Sequence, residues 1–442
     1  MACEHRDTKI LEHTVDVITV LPLFKIAAVF GLVILLLRLS LPIGLALSLG
    51  GIVMGLFFSM PPVGIMQTFG SALVGFNTIT LAVIITLILL LSNAMEHLGL
   101  MDELLDRFRN MLGKSRIGLV VFPSLIGLLP MPGGAVFSAP MLDAFARETA
   151  VTPEQKSFLN YWFRHIWEYW WPLYPGVLLT CSIAGLSIWR FVLLTLPLTA
   201  FAVAMGVPRL ISIPPFRRDP LDEKKSFRQS GTWRSVCPMA LAILPGLGLS
   251  LLRMVPGGFA LPHEIGLIAG LVAAVACAWF TSDMDSRNLR KIVFDPRLLR
   301  MWITVAGVFV FKGIIEQSGA ADDLGHVLLR LRVPLEWVVV LLPMTVGGIT
   351  GLSIAFVGAT FPILISLTQT LASPELMPSF IVLAMASGLV GVLMSPVHLC
   401  LILSNEHFGA SWSGVYRYLS LSSLGLLVCA VGYFWVLRAV LL

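Results

Sequence analysis

The chain has 442 residues, of which 57% are hydrophobic and 12% charged, against about 25% charged in soluble domains. That balance excludes a soluble globular protein and predicts an all-α polytopic membrane protein with the lipid bilayer as its main partner. The net charge of +5 is not a nucleic-acid footprint, because the Lys and Arg residues cluster in a few loops, as membrane topology requires.

After a polar start of about 18 residues, apolar runs near Val20 to Leu37, Leu41 to Ser59 and Phe76 to Ala94 are each read as a crossing. The first is too long and too poorly flanked for a cleaved signal peptide. Met101 to Arg116 is charged and amphipathic and reads as an interfacial arm. Ile117 to Ala146 is apolar but broken by Leu129-Pro-Met-Pro-Gly-Gly-Ala-Val-Phe-Ser-Ala-Pro140, which no straight helix carries through lipid. It is predicted to be a re-entrant hairpin over 117–146 with its tip near Pro130 to Gly134.

A broken helix over 153–181 follows, opened by Thr152 as N-cap and Pro153 at its first position and interrupted at Pro172 and Pro175. If the membrane begins near Phe158, Arg164 and Glu168 lie roughly 9 and 15 Å into the slab at 1.5 Å per residue. Asn160, Arg164 and Glu168 step by four and so share one face of a continuous helix, with His165 beside it. A span at 188–206 closes the first half, 1–207, and the basic stretch 208–235 reads as a cytoplasmic linker.

The order then repeats over 236–442: spans near Val236 to Met254, Glu264 to Thr281 and Met301 to Ile315, then a polar arm, Gly319 to Arg332. A second hairpin over 334–371 has Gly347 to Thr360 at its middle. A helix over 378–408 broken at Ser395-Pro396 and a last span, Leu419 to Leu441, complete it. Glu96, Gly99 and Pro123 meet Glu316, Gly319 and Pro343 at a constant spacing of 220. A weak repeat with interrupted segments at matching places points to a secondary transporter and to its binding site. Five crossings and a hairpin per half, about ten spans in all, would set the halves in opposite orientations. A cytoplasmic linker then puts about two thirds of the Lys and Arg residues inside and both termini outside.

Pro130-Met-Pro-Gly-Gly134 followed by Arg164-His-Ile-Trp-Glu168 resembles an uncharacterised integral-membrane family, domain of unknown function 401, grouped with the ion transporter superfamily of divalent-anion, gluconate and citrate carriers. The resemblance implies a prokaryotic cytoplasmic membrane and an inverted-repeat fold. It also implies a homodimer built on a scaffold domain and elevator-type alternating access by a mobile domain of hairpins and broken helices. The Ser-Asn-Thr hairpin motifs of the sodium-coupled dicarboxylate carriers are absent here. Gly133-Gly134-Ala135 and Thr350-Gly351-Leu352-Ser353 stand in their place, so sodium coupling and dicarboxylate specificity do not carry over.

For a small anionic solute, freed N–H groups at the tips make Gly133, Gly134, Ser138, Thr350, Gly351 and Ser353 candidate binding residues, with Asn160, Thr360 and His398 beside them. The same glycines can equally do no more than turn the hairpins. Arg164 offers a fixed charge in carboxylate geometry, or else forms a structural ion pair with Glu168. His165 and Glu168 are the candidate proton carriers. No cofactor or metal is expected: the six cysteines are scattered singly, without ligand spacing, and read as packing residues. Asn405 and Glu406 are placed near the cytoplasmic end of their helix and read as surface or gate residues, and the aromatic run Tyr161 to Trp171 is read as packing and interface anchoring.

These features lead to a proton-coupled transporter of a small organic anion rather than an enzyme. The alternatives are a sodium-coupled symporter or exchanger, a passive channel, and an intramembrane serine hydrolase using Ser353 as nucleophile and His398 as base, which lacks a GxSxG elbow.

Overall fold

A chain in hydrocarbon must satisfy its own backbone, and each apolar run does so as a helix. The computed structural model describes residues 17–100, 103, 115–131, 134–146, 150–214, 232–252, 263–281 and 286–441, and every regular element among them is helical. The first half contains α1 (Val17–Arg38), α2 (Ile43–Phe57), α3 (Pro62–Val74), α4 (Phe76–His97), α5 (Gly118–Gly127), α6 (Ala135–Ala146), α7 (Pro153–Arg164), α8 (Pro175–Ala184) and α9 (Ile188–Ile211). The second contains α10 (Thr232–Leu252), α11 (His263–Phe280), α12 (Ser286–Val293), α13 (Pro296–Ser318), α14 (Ala320–Arg330), α15 (Leu335–Thr350), α16 (Ser353–Leu371), α17 (Met377–Leu393), α18 (Leu399–Phe408) and α19 (Trp412–Leu441). Stretches in α1, α4, α9, α13, α16, α17 and α19 are long and apolar enough to cross a bilayer, so this is a multi-pass membrane protein. The interfacial arm expected at 101–116 and the middle of the expected linker fall largely outside the described residues.

The expected crossing at Leu41 to Ser59 is shorter than read: α2 has 15 residues and spans about 22 Å at 1.5 Å per residue, under a core of about 30 Å. It packs closely on α13, because a Cβ on Gly44 would overlap the Ile303 backbone and one on Gly307 would overlap Gly44. Small residues let membrane helices approach in this way. Lys312 pairs with Glu316 at 3.6 Å, and Lys25 lies over the Phe58 ring. The second expected arm is α14, whose Ala320, Ala321, Leu324, Val327 and Leu328 face inward while Asp322 and Asp323 occupy its first turn.

Within 117–146, α5 packs on α6, and within 334–371, α15 packs on α16 across a turn at Gly351, which takes φ +65°. α7 is separated from α8, and α17 from α18, by non-helical residues. α18 packs against α7 and α6, and α16 against α8 and α17, so hairpins and half-helices of both halves meet in one interior layer.

Candidate functional site

α7 starts as its sequence dictates: the Thr152 side chain accepts from Gln155 N while the Gln155 side chain accepts from Thr152 N, and Pro153 takes the first helical position. Lys156 ties this start to Asp143 of α6 at 2.7 Å. The helix then ends at Arg164, eight residues before the expected break at Pro172. The cause is a side chain competing with the backbone. His165 Nδ1 lies 2.6 Å from the Tyr161 carbonyl, the acceptor that the His165 N–H would use in a helix. That N–H turns to Trp162 O instead. Asn160, Arg164 and Glu168 therefore do not share one continuous helical face, and no Arg164–Glu168 ion pair forms among the described residues; Glu168 faces His165 Nε2 at 3.8 Å.

The aromatic run serves a purpose that its composition did not disclose. A half-helix inside a membrane leaves its last carbonyls without partners, and the end of α5 is supplied from the break. Trp167 Nε1 donates to Ser124 O at 2.7 Å, Tyr174 OH to Gly127 O at 2.6 Å and Trp171 Nε1 to Leu128 O at 2.8 Å. Trp170 donates to Thr199, which in turn donates to the Ile166 carbonyl within the break. Packing was expected of these residues; capping of the hairpin is the addition.

Arg164 lies at the centre of the layer and is 3% exposed. Its Nη2 donates to Met131 O at 2.6 Å, near the first hairpin tip. Nε and Nη1 are buried without hydrogen-bond partners. Gly134 lies against it, and a Cβ there would force the guanidinium to move. Opposite, from the other half of the chain, His398 turns its Nε2 to within 3.1 Å of His165 Nε2, the rings set edge to face at 81°. Cys400 joins them: the two histidines and the thiol bring one ligand atom each within 4.8 Å of one another, and all three residues are buried. The thiol also faces the Arg164 guanidinium. Cys400, expected as packing, is thus a site residue. His165 lies 235 positions from it, and the one local trace was the spacing His398-Leu399-Cys400.

The remaining candidates divide. Gly351 presses on His398 and Ser395, and a Cβ there would come within 3.0 Å of the His398 backbone. Ser353 lies against Gly176 and shares no hydrogen bond with His398 among the described contacts, so the nucleophile–base pair of the hydrolase reading is not assembled. Thr350 and Thr360 are bonded back to Val346 O and Phe356 O of their own helices, and Ser138 is buried at 3.5 Å from the Gly134 and Ala135 carbonyls. Gly133 lies outside the described residues. Asn160 donates to Ser404 Oγ at 2.9 Å and leaves its own Oδ1 unpartnered. Asn405, expected as a surface or gate residue, is buried and accepts from Ser157 of α7. The signal for Ser404 and Asn405 was that they open the polar second half, Ser404 to His407, of a half-helix that starts apolar.

No curated protein matches the chain. Residues 17–437, nearly its whole length, match the family described as Protein of unknown function (DUF401). A helical membrane protein with paired half-helices around a buried arginine, this chain belongs to that family.

Proposed function

We propose that this protein is a secondary active transporter for a small organic anion, related in architecture to the ion transporter superfamily. In this reading its two halves are inverted repeats, and the hairpins and broken helices move as one body against a dimerising scaffold that includes α2 and α13. The observation that carries the reading is Arg164. A guanidinium 3% exposed, with Nε and Nη1 lacking partners, is a buried cation left uncompensated, which a fold tolerates only at a cost of several kcal/mol. An anion entering beside Gly134 relieves that cost, and its carboxylate geometry suits the fork. Arg164 lies where two half-helices and a hairpin tip meet, the usual place for a substrate site in carriers built from broken helices.

The test is a thermal-stability and calorimetric screen of the purified protein against small carboxylates, sugar acids and inorganic oxyanions. An anion at about 100 times its Kd stabilises the wild type by about 2.7 kcal/mol, and Arg164→Gln abolishes the effect. Stabilisation by cationic or apolar compounds alone overturns the reading. The residues expected to carry a coupling proton, His165 and Glu168, do not stand apart: His165 forms a buried cluster with His398 and Cys400, and that cluster has a chemistry of its own.

A further inference from the structure

We propose that His165, His398 and Cys400 hold a late first-row transition-metal ion of the Zn2+ class, bridging the two halves of the chain beside Arg164. The donor set is right for such an ion: two imidazoles and a thiol, with the Glu168 carboxylate in reach of a fourth position, 3.8 Å from His165 Nε2.

The tautomer of His165 is set by its neighbour. Its Nδ1 lies 2.6 Å from the Tyr161 carbonyl, which only accepts, so Nδ1 carries the proton and Nε2 presents a lone pair to the cluster. This is the arrangement in which a backbone carbonyl orients a metal-ligating histidine through its other nitrogen. The spacing fits as well. Two nitrogens 3.1 Å apart and each about 2.0–2.1 Å from a common ion subtend roughly 100°, close to tetrahedral. A hydrogen bond between the two rings would use the His165 Nε2 lone pair and a His398 N–H. The thiol that α18 brings to the same point at its start completes a three-donor set that an ion can use.

The charge count adds a consequence. A divalent ion with a Cys400 thiolate and the Glu168 carboxylate is neutral as a unit, which leaves the Arg164 charge in place beside it. The metal site does not depend on transport, and it takes the lone pairs that His165 would need as a proton carrier, so the two roles exclude each other.

The experiment is a Co2+ titration of chelator-stripped, detergent-purified protein, read by absorption. The expected result is one Co2+ per chain, with visible d–d bands and a near-ultraviolet thiolate-to-cobalt band, both lost when Zn2+ is added. Cys400→Ser removes the thiolate band, and Cys181→Ser, a buried cysteine outside the cluster, leaves it unchanged. His165→Gln and His398→Gln each weaken Co2+ binding at least tenfold. Wild-type protein without a thiolate band, or a Cys400→Ser protein that keeps it, overturns the proposal. If a histidine variant does not fold, the comparison of the two serine variants decides alone. Metal binding without anion binding would sink only the transport reading, and anion binding without metal only this one.

Discussion

The two breaks that frame the site are secured very differently. In the first, residues 165–174, side chains cap the hairpin beside it: Trp167, Tyr174 and Trp171 take the carbonyls of Ser124, Gly127 and Leu128 at the end of α5. In the second, residues 394–398, Tyr416 donates to Met394 O at 3.1 Å and the backbone turns on Ser395 and His398. There Ser395 Oγ and His398 Nδ1 are buried without partners. The contrast teaches that the first break is over-determined at its hairpin, although Arg164 Nε and Nη1 stay unpaired beside it. The second, capped by Tyr161 on Val392 and Leu393 O, keeps unspent hydrogen-bonding capacity in its own turn, the condition for rearranging around a ligand or against a moving hairpin.

Substitutions test that contrast, the largest effect first. Gly127→Ala strikes the over-determined side, because its Cβ would overlap the Arg164 carbonyl; a loss of about 3 kcal/mol, the upper range for overpacking, should appear in chemical denaturation. Tyr174→Phe leaves the Gly127 carbonyl buried and unpaired and should cost about 2 kcal/mol. On the looser side, Gly351→Ala forces a side chain into the left-handed region and towards the His398 backbone, for about 1–2 kcal/mol. Tyr416→Phe, at a partly buried bond, should cost under about 1 kcal/mol. If Tyr416→Phe proved as costly as Tyr174→Phe, the asymmetry between the breaks would be wrong.

The smallest effect concerns acid. Glu154 accepts from Ser411, tying the start of α7 to the segment before α19. Hydrogen bonds from its own backbone and from Ser411 hold its carboxyl below the usual range. A depressed carboxyl contributes stability above its unfolded-state pKa and loses it as pH falls through the folded value. Glu154→Gln should therefore differ from wild type at neutral pH and converge with it in acid, as measured by melting temperature against pH.

Arg164, the glycines at both hairpin tips and the proline breaks were legible because each violates a local rule. Charge, glycine and proline are costly inside an apolar run, so their presence marks a place where the membrane rule is suspended. The end of α7 was not legible in the same way. It depends on His165 reaching back to Tyr161 O, a rotamer choice that helical periodicity does not register. Nor was the pairing of Ser157 with Asn405, or of Asn160 with Ser404, because polar residues in two remote segments have no local reason to be read together.

By itself the sequence determined that this is a helical membrane protein, that some of its apolar segments are interrupted, and that a charged segment is buried among them. These follow from the cost of polar groups in hydrocarbon, a cost set residue by residue. Only the tertiary structure decided that His165 meets His398 and Cys400, that Glu168 turns to His165 rather than to Arg164, and that the aromatic run caps a hairpin. Such outcomes depend on which segments pack together, and hydrophobicity, being non-directional, prescribes burial without naming the neighbour.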